Sequence, residues 1–423
     1  MDGSIRSVRK NPGIRPCRIG LNRGLPSAMH VAMKPTTNRR PKLVNVDGQP
    51  SWRFKSDRTE ACLTPLGGHL GPVTFRLNGR QVSPFSVAPW VEEKEARSLI
   101  PLLKVLRGDF FCLPFGGNAA PWRGEQHPPH GETANARWQM ESLASTDERV
   151  CLHASLRTKI RSGRVDKRIY LLRGQTAVYC QHTISRMSGP MSLGHHAMLR
   201  FPDEPGSGVI STSPFLFGQV SPTPFESPAE RGYSSLKTGA EFTSLSAVPL
   251  ADGGQTDLSR YPARRGFEDL VILASDPGLP FAWTAVVFPK QRYVWFALKD
   301  PRILRQTVFW ITNGGRHYPP WNGRHVGVMG LEEVTAYFAN GLADSARSNS
   351  LSKRGVTTMQ TLDPQQPLVV PYIMGVASIP TGFDRVREII PADNERSARL
   401  VSHSGKTIRT PLRTDFLRAG SGW

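Results

Sequence analysis

The feature that most constrains this chain is a recurring rhythm of short apolar or alternating runs separated by turn dipeptides. Residues 73–77 and 81–85 flank Asn78-Gly79, the strongest short-range hairpin signal, because both turn positions must take positive φ. Residues 158–160 and 165–172 flank Ser162-Gly163, and an alternating run, 175–184, follows Arg173-Gly174. Runs at 270–274, 282–288 and 293–298 are parted by Pro and Gly, and 401–403 and 407–411 flank Ser404-Gly405. The 39 glycines and 36 prolines fit turns and disfavour a helical bundle. The expected fold class is all-β: one large antiparallel sandwich with long loops and few short helices. Two segments read as helical. One is 92–106, interrupted by Pro101; the other is 331–346, where Val334, Tyr337 and Phe338 share a helical face.

A chain of 423 residues suits two domains or one large all-β domain. Its net charge of +20 is concentrated at the front, where residues 1–43 hold ten Lys/Arg and one acid, Asp2. That segment has no strand or helix period. Residues 1–45 are read as a basic disordered tail or as upstream of the true start at Met29 or Met33, and 46–423 as a single β-sandwich domain. No apolar stretch suits a secretory signal, and the tail's prolines argue against a transit helix. The tail has no aromatic residue on which bases could stack, so nucleic acid is not an expected partner. The five cysteines, Cys17, Cys62, Cys112, Cys151 and Cys180, form no C-x-x-C pair. They read as buried thiols suited to a cytoplasmic protein. No 18-residue apolar run is present, so no membrane span is expected.

Three stretches concentrate groups capable of acid–base work. The first runs from Arg107-Gly108-Asp109 through Pro114-Phe115-Gly116 and Asn118 to His127, His130-Gly131 and Trp138. Proline and glycine around His130 imply an irregular loop, where function tends to sit on a rigid scaffold. The second holds His195-His196; strand alternation would send one ring inward and the other outward. The third holds Trp310, Arg316, Trp321, Arg324 and Leu331-Glu332-Glu333.

Taken in order, these blocks resemble the aldose 1-epimerase (galactose mutarotase-like) superfamily, nearest to its hexose-6-phosphate mutarotase branch. That branch carries R-G-G-x-P-x-x-x-P-x-F-G, then H-G-F-A-R and a tryptophan. Arg107-Gly108, Pro114, Phe115-Gly116, His130-Gly131 and Trp138 stand in matching order. His196-Ala197-Met198-Leu199 is similar to a second block, His-x-aromatic-Phe, and Leu331-Glu332 to an apolar-Glu strand end. The resemblance spans about residues 51–423.

It implies a galactose mutarotase-like β-supersandwich and interconversion of α and β anomers of a sugar hemiacetal. In that chemistry a carboxylate removes the anomeric proton, a histidine protonates the ring oxygen, and the ring opens and recloses with neither metal nor cofactor. The implied base is Glu332 and the implied acid is His196, with His195 as the register alternative. His130 binds the sugar and shares the electrostatic work. Arg107, Asn118, Arg137, Asp269, Arg316 and Arg324 are the implied polar binders, and Trp138 or Trp321 stacks on the pyranose. The expected partner is a monosaccharide or sugar derivative.

Three departures bear on the substrate. Ala134 stands where the family has the H-G-F-A-R arginine, Asp109 replaces the second glycine, and Met198-Leu199 replace aromatic-Phe. The missing arginine argues against a sugar phosphate, although Arg316 and Arg324 could replace it. Other classes stay open: a non-catalytic carbohydrate-binding protein on the same fold, metal chemistry at His127-x-x-His130 with Glu132, and a polysaccharide lyase or hydrolase. Between Glu268 and Asp269, nothing in the sequence fixes which faces a ligand.

Overall fold

Turn chemistry shapes the first elements. In a computed structural model that describes residues 41–418, Asn78 and Gly79 take φ of 46° and 80° and join the strands Leu70–Leu77 and Arg80–Val82. Asp47 and Gly48 do the same, at 47° and 73°, between Leu43–Val46 and Gln49–Lys55. With Thr59–Leu63 these strands make a five-stranded sheet. The first strand thus begins inside the segment read as tail. It is ordered by pairing with its hairpin partner and by Arg107, whose guanidinium donates to the carbonyls of Val46 and Asp47. The rest of the expected tail, residues 1–40, lies outside the described residues, as does Cys17.

Two large sheets carry the body. A nine-stranded sheet runs in the order Arg260–Tyr261, Gly208–Thr212, Ala282–Phe288, Tyr293–Lys299, Leu368–Ser378, Ala177–Ser185, Gly163–Leu172, Arg149–Thr158, Gln139–Ser145. An eight-stranded sheet is centred on Glu268–Ser275, Gln306–Thr312 and Val328–Thr335, with Leu193–His195 and Ala197–Arg200 both paired to the last of these. All pairings between these strands are antiparallel; hairpin neighbours such as Ala282–Phe288 with Tyr293–Lys299 sit beside partners distant in sequence, such as Ala177–Ser185 with Leu368–Ser378. The fold class is therefore the expected one.

Alternation then makes three apolar layers. Phe309, Ile311, Met329 and Leu331 face the nine-stranded sheet, where Trp295, Val286, Val370 and Met374 meet them. On the far side of the nine-stranded sheet, Trp283, Phe296 and Leu298 are covered by Ile389, Ala398 and Leu400 of a C-terminal three-stranded sheet. On the far side of the eight-stranded sheet, Ile272, Val308, Trp310 and Val334 meet Trp90, Leu102 and Leu106 from the 88–106 segment. The candidate site lies in this third layer.

Both helical expectations need correction. Segment 92–106 holds only a 3-10 turn, Glu95–Ser98, and a four-residue helix, Pro101–Lys104. Segment 331–346 is split between the strand Val328–Thr335 and the short helix Leu342–Ala346. All eight residues of that strand are buried. A strand buried on both faces loses its period-2 signature, so apolar spacing alone mimics a helix. Trp90, Trp283 and Trp295 are core residues. Cys62, Cys112 and Cys180 are buried free thiols, and Cys151 is half-buried. No helix among the described residues is long and apolar enough to cross a membrane.

Candidate functional site

The strand Val328–Thr335 is central, so its alternation sorts two adjacent acids to opposite faces. Glu333 points between the sheets, where it accepts from Thr284 and Thr307 and pairs with Lys299 Nζ at 2.5 Å. Glu332 points the other way, into the third layer. Its cross-strand neighbour is Val308, and Trp310 stands opposite Gly330. Gly330 makes room for the acid: a Cβ there would lie 2.5 Å from Glu332 Oε1 and 3.1 Å from Trp310 Cβ.

The same alternation separates the two adjacent histidines. His195 enters the inter-sheet core, with Nδ1 2.9 Å from Asp109 Oδ2 and its ring 4.2 Å from that of Tyr372. His196 faces Glu332, with Nε2 3.1 Å from Oε1. His196 is the middle ring of its surroundings. It stacks on Phe110 at 4.5 Å, meets His130 edge-on at 5.0 Å and lies 5.5 Å from Trp310. His130 arrives from the irregular loop with φ of 59°, its Nδ1 3.3 Å from Cys112 Sγ. Gly131 follows at φ 74°, and a Cβ there would sit 1.9 Å from the Leu113 carbonyl oxygen. Only glycine fits that backbone approach, which accounts for the His-Gly pair in the sequence.

Glu332, His196 and His130 line one cavity of about 290 Å³. Its walls are Ile100, Leu102, Leu103, Leu106, Phe110, Phe225, Leu270, Trp310 and Trp321, with Arg316 to one side. The Glu332 side chain is 2% exposed and that of His196 is 6% exposed. Burial pushes the Glu332 carboxyl well above the usual carboxylate range and His196 well below the usual imidazole value. Both shifts favour the uncharged forms of the two groups, which approach to 3.1 Å between Nε2 and Oε1. Burial, helped by the charge of Arg316, pushes His130 down to about 4.

Arg316 is held between carboxylates. Its Nε donates to Glu226 Oε1 at 2.6 Å, and Tyr318 donates to the other Glu226 oxygen at 3.1 Å. Its guanidinium lies over Trp321 at 4.6 Å and Trp310 at 5.4 Å. Burial works against its charge, yet Glu268 and Glu226 hold its pKa above the ordinary value. Glu268 accepts from Trp310 Nε1 at 3.1 Å and Thr312 Oγ1 at 2.7 Å, and burial raises it to about 8.

Of the twelve implied site residues, five meet at the cavity: Glu332, His196, His130, Arg316 and Trp321, beside Trp310 of the same stretch. The other seven do not line it. Arg107 is buried and ties the first hairpin to its own loop. Asn118 holds the loop through donations to Pro114, Gly116 and Pro128 while accepting from the Leu342 N–H. His195 faces the core. Trp138 donates to the Thr133 carbonyl and carries Lys167 on its ring. Arg137 forms an isolated bridge with Leu66 at the sheet margin. Asp269 accepts from the backbone of Ser235 and Leu236. Arg324 pairs at the surface with Glu93. His127, His130 and Glu132 also diverge: His127 pairs with Glu125, and Glu132 accepts from the backbone of Lys159 and Ile160.

Sequence reasoning missed Glu226 and the apolar walls at Leu102, Leu103, Leu106 and Phe225. Glu226 lies 90 residues from Arg316 in an aperiodic stretch, so nothing local marks it. Glu268 had a usable signal: once Asp269 faces inward, strand alternation sends Glu268 outward.

No family model matches the sequence, and no curated protein matches it. Solved structures do match. A galactose mutarotase-like protein of Clostridium acetobutylicum superposes with a TM-score of 0.51 at 12% identity, covering 81% of this chain and 99% of that one. The chain has the mutarotase-like fold. A protein of Escherichia coli K12 provisionally assigned as an aldose 1-epimerase gives 0.51 at 13% identity, covering 78% and 99%. One of Klebsiella pneumoniae MGH 78578 with the same provisional assignment gives 0.53 at 12% identity, covering 80% and 82%. At these identities the likeness is of the mutarotase-like fold, without the hexose-6-phosphate branch.

Proposed function

We propose that this chain is an aldose 1-epimerase-like catalyst that interconverts the α and β anomers of a cyclic hemiacetal. The observation that carries the reading is the 3.1 Å contact between Glu332 and His196 in the wall of a largely apolar cavity that His130 also lines. Its size lies at the small end of ligand pockets, which run about 300–1,000 Å³. The mutarotase-like fold agrees with the reading.

The reaction needs one proton taken from the anomeric hydroxyl and one given to the ring oxygen. The Glu332–His196 pair holds one proton whether it is written as neutral acid and neutral imidazole or as carboxylate and imidazolium. In the second form Glu332 takes the anomeric proton and His196 protonates the ring oxygen. The C1–O5 bond breaks, and the open-chain aldehyde forms. Rotation about C1–C2 presents the other carbonyl face, and reversal of both transfers closes the ring. The proton count of the pair is unchanged over the cycle. A dry setting suits this, because shared protons between matched groups transfer readily. His130, neutral above about pH 4, sits where it can hold an oxygen of the substrate.

The test is anomer exchange by saturation-transfer NMR across aldoses and simpler lactols, comparing wild type with Glu332→Gln. The reading expects acceleration that falls about 100-fold or more in the variant. Binding without exchange in the wild type would overturn catalysis and leave a carbohydrate-binding role.

A further inference from the structure

We infer that the substrate of this site is an uncharged hemiacetal with apolar substituents, such as a deoxy or O-alkylated aldose or a simple lactol, in place of a free hexose or a sugar phosphate. The inference rests on the anomerisation reading and narrows its substrate.

The first argument is a count of polar partners. The side chains lining the cavity supply polar atoms only from His130, His196, Glu332, Arg316 and the two tryptophans. The first three are taken up at the anomeric centre. The Trp310 N–H is already donated to Glu268. Arg316 and the Trp321 N–H are therefore the side-chain donors left for the rest of the ring. Apolar side chains, Leu102, Leu103, Leu106, Phe225 and Leu270 among them, and the loop residues Gly117, Pro129 and Ala339 form the remaining wall. A free hexose would bring several hydroxyls against those side chains. Each hydroxyl buried without a partner loses about tenfold or more in affinity. A methyl or methylene in the same place gains about fourfold.

The second argument is charge. A phosphate site needs uncompensated positive charge. Here Arg316 is already paired, with Nε on Glu226 at 2.6 Å. The two histidines of the cavity are uncharged at neutral pH. An entering dianion would meet balanced charge and apolar walls, an unfavourable exchange for its hydration. The guanidinium can still donate through its terminal nitrogens to a neutral oxygen. One face of Trp321 is covered by that guanidinium, which reduces the aromatic surface open to a pyranose.

The experiment measures exchange by saturation-transfer NMR and binding by saturation-transfer difference for three matched groups. These are glucose and galactose; glucose 6-phosphate; and 6-deoxygalactose, an O-methylglucose and 2-hydroxytetrahydropyran. We expect kcat/KM for the third group to exceed that for the parent hexoses by tenfold or more, with no acceleration of the phosphate. Preference for a free hexose or its phosphate overturns the inference while leaving the epimerase reading intact. Binding of the third group without exchange overturns the epimerase reading, and with it the substrate role, and leaves only the ligand class. Failure of the third group to bind overturns the inference too. Two variants test the physical causes. Leu103→Asn, on a half-buried wall position, should move the preference toward the free hexoses by about tenfold. Glu226→Gln should free the charge of Arg316, so that inorganic phosphate, inert toward wild type at millimolar concentration, binds at the cavity. Inhibition of wild type by phosphate at that concentration would overturn the charge argument.

Discussion

Gly330 bears on the site more directly than many residues with side chains. It leaves the space in which the Glu332 carboxyl turns towards His196. Gly330→Ala should place a methyl within 2.5 Å of Oε1. The acid must then move, and exchange should fall at least tenfold, with a stability loss of about 1–3 kcal/mol. Anomer-exchange rates beside urea unfolding curves check this; an unchanged rate would mean that the carboxyl does not need its present position. Asn118 acts at the same scale but structurally. Its amide donates to three carbonyls and its oxygen accepts from Leu342. Asn118→Ala should lower stability by about 2 kcal/mol or more through unpaired backbone groups. Since the Pro114–Asn118 loop neighbours His130, the loss should also raise KM. The adjacent histidines show how a period of two separates roles: one slot along the strand moves a ring from the inter-sheet core to the cavity.

The strand Glu268–Ser275 carries a consequence for pH. Glu268 has its folded-state pKa raised from 4.5 to about 8 by burial. Between those values the folded protein binds the proton and the unfolded chain does not. Stability from this group is therefore fully present below about pH 4.5 and is lost as pH rises towards 8. The full shift is worth about 5 kcal/mol. Glu268→Gln should remove that slope, so the two proteins diverge in favour of the variant as pH rises. Urea midpoints taken from about pH 5 to pH 9 decide it, and parallel profiles would place the titration elsewhere. His130 runs the other way. Its pKa is lowered to about 4, so its contribution is lost as pH falls below about 6.5.

In the whole molecule, the cavity sits on one outer face of the eight-stranded sheet, while the C-terminal sheet covers the far side of the nine-stranded one. Leu400→Ala should therefore reduce stability by about 2–5 kcal/mol yet leave exchange per folded molecule unchanged. A change in kcat would reveal coupling across both sheets. Much of this architecture was legible. Asn78-Gly79, Ser162-Gly163 and Ser404-Gly405 marked true hairpins, because turn geometry is a local demand on φ. Motif order singled out His130 and Glu332, and the fold brings both to one cavity. The strand at 328–335 was not, since burial on both faces erases the alternation that identifies strands. Arg107, Asn118 and Trp138 belong to the same motif as His130 but serve the loop that presents it, and spacing cannot separate a ligand-facing group from its support. Local sequence determined the hairpins and the all-β class, because those depend on residues near one another in the chain. Tertiary structure alone decided which of two neighbouring histidines faces the cavity, that Glu226 neutralises Arg316, and that leucines wall the site. Each of those depends on which strands lie side by side and on what covers them.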